Sequence, residues 1–473
     1  MSAAVISLVL MIGSVKQTGL PLEDPLNWWI YMFETVTGEI LPGSFPATDA
    51  EELFTEIIST EGFEKIGKHI LSRSLPPGNL PGENGFKMAV QGTIAGEILY
   101  SEDAFETRCG ATGRIFADIL PSLFMDERLS IWAGSDENPP DYFTPFHKGA
   151  EPGRHLYVDW GYIRWNHETI SISFGRVPQR WGPCRFTQLL ISDNSPPLDM
   201  LKVGFSLWNI LEFTGFTSTI NSDSCTYLTA HRLDIKPLHN LRIGLSESIL
   251  FKANGLDFAY MNPVIPWYPV QWNERVDDNA FLTFDATWIP LNGVETYGEL
   301  LIDDIQYENT HNRPNKLAWT AGISAFLPSL QLGTVAEYTR IDRYVYSQRE
   351  PRNYYLHDGS IIGSELGPDA DRITLSIGTP ALWPLLTEVT LDHTRHGEGT
   401  VQEGWPDSVQ TGGRFPSGIV EYSTGAELHL SWYPLDFLEA HGKVRNTWIR
   451  NQDHVSGETD SDIISSLEFI WTW

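Results

Sequence analysis

From Phe86 to Trp473 the apolar residues recur with a period of two, in short runs repeated over nearly four hundred residues, and helical spacing disappears. A period of two sends alternate side chains to opposite faces of an extended strand. Leu317, Trp319, Ala321, Ile323, Ala325 and Leu327 share one face, as do Leu282, Phe284, Ala286 and Trp288, and their alternates are mostly small or polar. About seventeen runs of this kind can be read, 203–213 among them as a single strand. The stretch holds no run of eighteen apolar residues, so any membrane crossing falls to strands. The pattern therefore predicts an all-β chain, a transmembrane outer-membrane β-barrel of antiparallel strands with lipid outside and lumen inside. Single-chain barrels have even strand counts, which makes sixteen or eighteen the expected number. A chain with 17 Trp and 17 Tyr but a mean hydropathy of only −0.20 fits that reading. Such strands meet lipid with every second residue and gather their aromatics at the two interfaces.

The connections alternate between tight, as at Pro328–Leu330, and long and polar, as at Tyr344–Asp371 and Arg395–Ser423; the long ones are expected outside the cell. In the last run Ile463, Ser465, Leu467, Phe469, Trp471 and Trp473 share one face. That run resembles the C-terminal signal read by the barrel-assembly machinery.

Upstream, Ala3–Val15 has the length of a signal-peptide core, so residues 1–22 are expected to be a signal peptide whose basic start is missing. Between Glu23 and Arg73 the spacing is helical: Leu53, Phe54, Ile57 and Ile58 lie on one face behind Asp49 as N-cap. Pro76, Pro77 and Pro81 then mark a linker. Residues 23–80 are expected to form a small N-terminal helical plug at one mouth of the barrel, residues 86–473.

A formal charge of −29 excludes a nucleic-acid surface, which needs a clustered positive field. No ligand set with metal spacing and no cofactor motif is present. Cys109, Cys184 and Cys225 are widely spaced without a CxxC, so at most one disulfide can form. The acidic pairs Asp277-Asp278 and Asp303-Asp304 are adjacent and point to opposite faces, which makes them poor glycosidase couples, and no hydrolase or nucleotide motif appears. Catalysis is not expected.

Three segments stand out chemically. Gly175–Pro197, GRVPQRWGPCRFTQLLISDNSPP, breaks a strand and interleaves Arg176, Arg180 and Arg185 with Trp181 and prolines that stiffen the backbone. Arg242–Trp272 carries Glu247, then Asp257, Tyr260 and Asn262. His357–Arg372, HDGSIIGSELGPDADR, is a tightly turned polar loop with Asp369 and Asp371. Together, in this order and spacing, the three resemble the segments that mark the Wzi family of capsule assembly proteins, over about Phe86 to Trp473. The resemblance implies an eighteen-stranded outer-membrane barrel with a periplasmic helical plug, a lectin without catalysis that holds surface polysaccharide. Cys184 departs from the family's usual Gly after Trp-Gly-Pro, which predicts a differently turned loop.

Carried over by motif, Arg176, Arg180, Trp181, Asp193, Asn194, Glu247, Asp257, Tyr260, Asn262, His357, Asp369 and Asp371 are expected to form an Arg–carboxylate lattice in the lumen. Sugar contact is expected from aromatics in outward loops: Tyr354, Tyr355, Trp405 and Phe415. The partners expected are surface polysaccharide, outer-membrane lipid and the assembly machinery. The alternative is a porin-like diffusion channel. Stiff internal segments that obstruct the lumen favour the lectin.

Overall fold

The computed structural model describes residues 87–473, apart from 102–104, 121, 135–153, 168, 209, 222–224, 254–256, 263–264, 275–277, 306–313, 328, 331, 380–383, 405–412 and 436. The expected signal at 1–22 and helical plug at 23–80 lie outside the described residues.

Eighteen antiparallel strands close into one barrel. They are β1 Lys87–Tyr100, β2 Phe105–Leu120, β3 Leu123–Gly134, β4 Arg154–His167, β5 Ile170–Val177, β6 Leu198–Leu207, β7 Leu211–Asn221, β8 Thr226–Leu238 and β9 Leu241–Lys252. After a short helix, α1 Trp267–Glu274, come β10 Asn279–Leu291, β11 Val294–Asp304, β12 Lys316–Leu327 and β13 Leu332–Ile341. A small hairpin, β14 Leu356–His357 and β15 Ser360–Ile361, stands apart from the barrel sheet. The barrel continues with β16 Ala370–Thr379, β17 Leu385–His396, β18 Glu421–Leu435, β19 Leu438–Arg450 and β20 Thr459–Thr472. Each barrel strand pairs with its sequence neighbours, and β20 returns to β1.

The eighteenth strand comes from the run 203–213, which is two strands. Trp208 takes a left-handed φ of 55°, and the Ile210 N–H bonds the Leu207 carbonyl at 3.1 Å, turning β6 into β7. Leu207–Leu211 contains neither glycine nor proline, so the turn hides inside an apolar run.

Alternation governs both faces. On β12, Trp319, Ile323 and Leu327 are exposed on the outer wall, while Thr320 and Ser324 are buried on the inner one. At one end of the barrel the connections are turns, such as those after β8 and β10. The long connections 178–197, 253–278, 342–369 and 397–420 all emerge at the other end.

The seam between β20 and β1 extends one residue past β20. Gly92 and Trp473 exchange backbone hydrogen bonds of 3.0 and 2.9 Å. A Cβ on Gly92 would lie 2.5 Å from the Trp473 indole, so a glycine is what lets the ring lie flat against β1.

Candidate functional site: a barrel filled from its loop end

The connection after β5 does not leave the barrel. Instead 178–197 turns into the lumen, where Arg180, Trp181, Cys184, Leu189, Leu190 and Ile191 are each at most 1% exposed. A buried loop must find partners for its backbone groups, and the inner wall supplies carboxylates. Glu337 on β13 accepts the Arg185 and Phe186 N–H groups at 2.7 and 3.3 Å and the Tyr297 hydroxyl at 2.8 Å. Glu299 on β11 accepts the Leu189 N–H at 3.3 Å and the Cys184 thiol at 3.5 Å. The Arg185 side chain pairs with Glu295 and lies over the Tyr297 ring at 4.8 Å. Burial pushes the Cys184 thiol well up, with Glu299 and Glu337 adding to the shift, so it stays protonated and donates. Cys184 is not among the residues with positive φ; the left-handed turn falls on Gly182, at +110°. The cysteine therefore fits without the freedom that glycine would bring. Cys109 and Cys184 are free thiols.

A second connection, 342–369, packs on top of the first. Its Tyr346 hydroxyl donates to the Leu189 carbonyl at 2.5 Å, and the Ser192 N–H donates to the Ile362 carbonyl at 2.9 Å. Tyr346 and Tyr355 stack with ring centres 5.8 Å apart, beside Phe281. Burial raises both phenols, so neither ionises at physiological pH. A third connection, 397–420, is tied down by Asp369, whose carboxylate accepts the Gly399 N–H at 3.1 Å and the Ser417 N–H at 3.0 Å. Arg343 joins the same corner through Glu403, at 2.8 Å from Nε, and through the Ser417 hydroxyl at 2.9 Å.

The motif residues do not form one lumen lattice. Arg180 and Trp181 are in the lumen, and Asn194 bonds the Ile361 carbonyl at 2.9 Å where the two inner loops meet, with Asp193 beside it. Others share a face with exposed apolar residues and so lie on the outer wall. Arg176 pairs there with Asp199 at 2.7 Å, and Asp371 holds Arg395 and the Tyr338 hydroxyl, the latter at 2.7 Å. Glu247 shares its face with exposed Ile243 and Leu245, and its carboxylate caps α1 by accepting the Trp267 and Tyr268 N–H groups at 2.9 and 2.7 Å. Asp257 caps the turn before it at 2.9 Å, Tyr260 packs on Phe251, and Asn262 is exposed. The 253–278 connection thus folds outward over the wall, covering Ile249, Phe251 and Ala280. Strand parity decides this, and parity was legible once the register was known. His357 lies in the β14–β15 hairpin, near Asp358, Asp199 and Arg176 at the rim.

Of the four aromatics, Tyr354 is partly open, with its hydroxyl on the Gln402 carbonyl at 3.1 Å. Phe415 lies under the Arg340 guanidinium at 3.7 Å. Tyr355 is fully buried, and its hydroxyl is 3.2 Å from the Ser248 hydroxyl. Trp405 falls outside the described residues. Among the described residues no group of His, Cys, Asp and Glu could hold a metal ion.

The fold has solved counterparts. One is a structure described as Wzi, an outer membrane protein involved in group 1 capsule assembly in Escherichia coli and a carbohydrate binding β-barrel. It matches with a TM-score of 0.64 at 14% identity, over 94% of this chain and 98% of that one. Another is Pseudomonas aeruginosa OprD, with a TM-score of 0.50 at 9% identity, over 84% of this chain and 98% of that one. These are likenesses of fold. No curated protein matches by sequence. Residues 83–462, a span that holds all three motif segments, match the family of the capsule assembly protein Wzi, and the chain belongs to that family of outer-membrane barrels.

Proposed function

We propose that the protein is a lectin of the outer membrane, which attaches or organises capsular or other surface polysaccharide at the cell exterior without chemical turnover. The observation that carries this reading is the entry of 178–197 into the lumen, where Glu299 and Glu337 hold it to the wall and 342–369 packs on it. A channel needs an open path; here two loops occupy one side of the interior and fix the shape of an outward surface. Family membership and the carbohydrate binding of the E. coli barrel point the same way. Tyr354 and Phe415 present partly open rings at the loop end, which suits the C–H faces of sugars, with Trp405 in the same group and Tyr355 as their support from below. We place the helical segment 23–80 as a plug at the turn end, behind a signal at 1–22. Outer-membrane lipid surrounds the barrel, and the last strand serves as the mark read by the assembly machinery.

Comparison of cell-bound with released glycan tests this in a deletion strain complemented with the intact protein or with one lacking 344–369. Glycan that moves into the medium with its total unchanged is the expected result. Unchanged retention together with reduced solute uptake would replace the lectin with the diffusion channel.

A further inference from the structure

The outer wall carries a row of residues unlike the rest of its lipid-facing surface. In the register of six consecutive strands, Trp319 on β12 stands opposite Arg340, Arg340 opposite Asp371, Asp371 opposite Arg395, Arg395 opposite Tyr422 and Tyr422 opposite Arg450. All six point outward, because each shares its face with exposed apolar residues such as Ile323, Ile377, Leu391, Leu428 and Val444. The next outward row toward the turn end is Ala321, Tyr338, Ile373, His393, Thr424 and Trp448, and the row after it Ile323, Ala336, Leu375, Leu391, Ala426 and Asn446. Within three rows the wall therefore passes from one with three guanidinium groups, through one that mixes aromatic and aliphatic side chains, to one that is aliphatic except for Asn446.

The height of the row is fixed by its distance from the other interface. On β18 the outward Trp432 lies at the turn end and Tyr422 ten residues above it. At about 3.3 Å per residue and a tilt of about 40°, that is about 25 Å along the membrane normal, the height of the apolar band of an outer-membrane barrel. The arginines thus stand where the outer leaflet's head groups begin.

Their arrangement leaves them able to bind. Arg395 uses Nε and Nη2 on Asp371, which leaves three of its five donors, and its side chain is 40% exposed. Arg340 is braced by Asp342 at 3.0 Å and by the Phe415 ring. Arg450 lies over the Tyr422 ring at 4.5 Å and has no ion pair among the described residues. In a chain with 32 basic against 61 acidic residues, three outward arginines on one row do not follow from composition. Guanidinium forks match phosphate oxygens, and aromatic rings beside them match saccharide faces.

We infer that this row on β12–β19 is a docking site for a phosphorylated, saccharide-bearing lipid of the outer leaflet, with its acyl chains on the aliphatic rows and its phosphate on Arg340, Arg395 and Arg450. The site meets the loop surface assigned to polysaccharide at Phe415, on which Arg340 lies, and its test tells the two ligands apart. The full-length protein in detergent is titrated with diphosphoryl lipid A and with the same lipid stripped of phosphate, for the intact chain, Arg450→Ser, the double variant R340S/R450S and the double variant R340K/R450K. Strand content by circular dichroism checks folding. The intact protein is expected to prefer the phosphorylated lipid at least tenfold. Arg450→Ser is expected to reduce that preference severalfold, R340S/R450S to less than twofold, and the lysine pair to keep most of it. Equal preference in the intact and serine variants, or equal binding of both lipids to the intact protein, overturns the assignment. Displacement of the lipid by soluble capsular polysaccharide, with the same variants losing polysaccharide, also overturns it and gives the row to the glycan.

Discussion

At Gly182 the chain turns with φ at +110°, and a Cβ there would lie 2.6 Å from the Glu299 carboxylate, the group that receives the Leu189 N–H. Gly182→Ala is therefore penalised twice, by a backbone conformation worth about 1–3 kcal/mol and by displacement of an acceptor from a buried donor, about 1–3 kcal/mol more. Gly359, at +81°, meets nothing within 4 Å, so Gly359→Ala carries only the first penalty. The temperature at which the folded barrel loses its compact migration on a gel should fall further for Gly182→Ala; equal falls would mean that Glu299 simply moves aside. The neighbouring Cys184 shows the limit of motif reading at this scale. Its difference from the family's Gly suggested a new turn, yet the left-handed residue is two positions earlier, and nothing in a local pattern says which of two neighbouring candidates takes the strain.

Elements were legible in proportion to their exposure to a single solvent on each face. β12 and β20, with lipid outside and polar lumen inside, announce themselves by alternation, whereas the β6–β7 turn is masked because Leu207, Trp208, Ile210 and Leu211 are all apolar. The direction in which a connection folds was not legible at all. Both 178–197 and 253–278 carry prolines, aromatics and acids, and one enters the lumen while the other covers the outer wall. What decides between them is the parity of the capping carboxylate, Glu337 and Glu299 facing in and Glu247 facing out. The β14–β15 hairpin adds a pH dependence. Burial holds His357 below its ordinary value against the opposing pull of Asp358, so folding takes the neutral ring while the unfolded chain binds a proton near pH 6.5. Its contribution is complete above that value and is lost as the pH falls below it. Protection of the Leu356–Ile361 amides, taken relative to their intrinsic exchange rate at each pH, should fall as the pH is lowered from 7.5 to 5, and His357→Gln should remove most of the dependence; an unchanged profile in that variant would assign the effect to other groups.

At the scale of the molecule, eighteen strands and two inward loops make a barrel whose inside is a core on one side. Val177, Trp181, Leu189, Leu250, Phe281, Leu301, Tyr346 and Tyr355 pack as one cluster, so the loops are part of the fold and do not merely rest in a pore. Reconstituted in liposomes, the intact protein should pass small sugars no faster than protein-free vesicles, and a variant lacking 344–369 should raise the rate severalfold; rapid flux through the intact barrel would contradict the filled lumen. The seam has a consequence of another kind, in time. Gly92 and Trp473 exchange the hydrogen bonds that complete the ring, and nearly the whole strand domain separates them in sequence. A chain emerging from the ribosome holds β1 long before its partner exists. For that whole interval β1 has an open edge, and open edges recruit whatever strand is nearest. The closed ring is therefore a product that synthesis alone cannot reach early, and the chain depends on being kept apart from its own copies until Trp473 has been made.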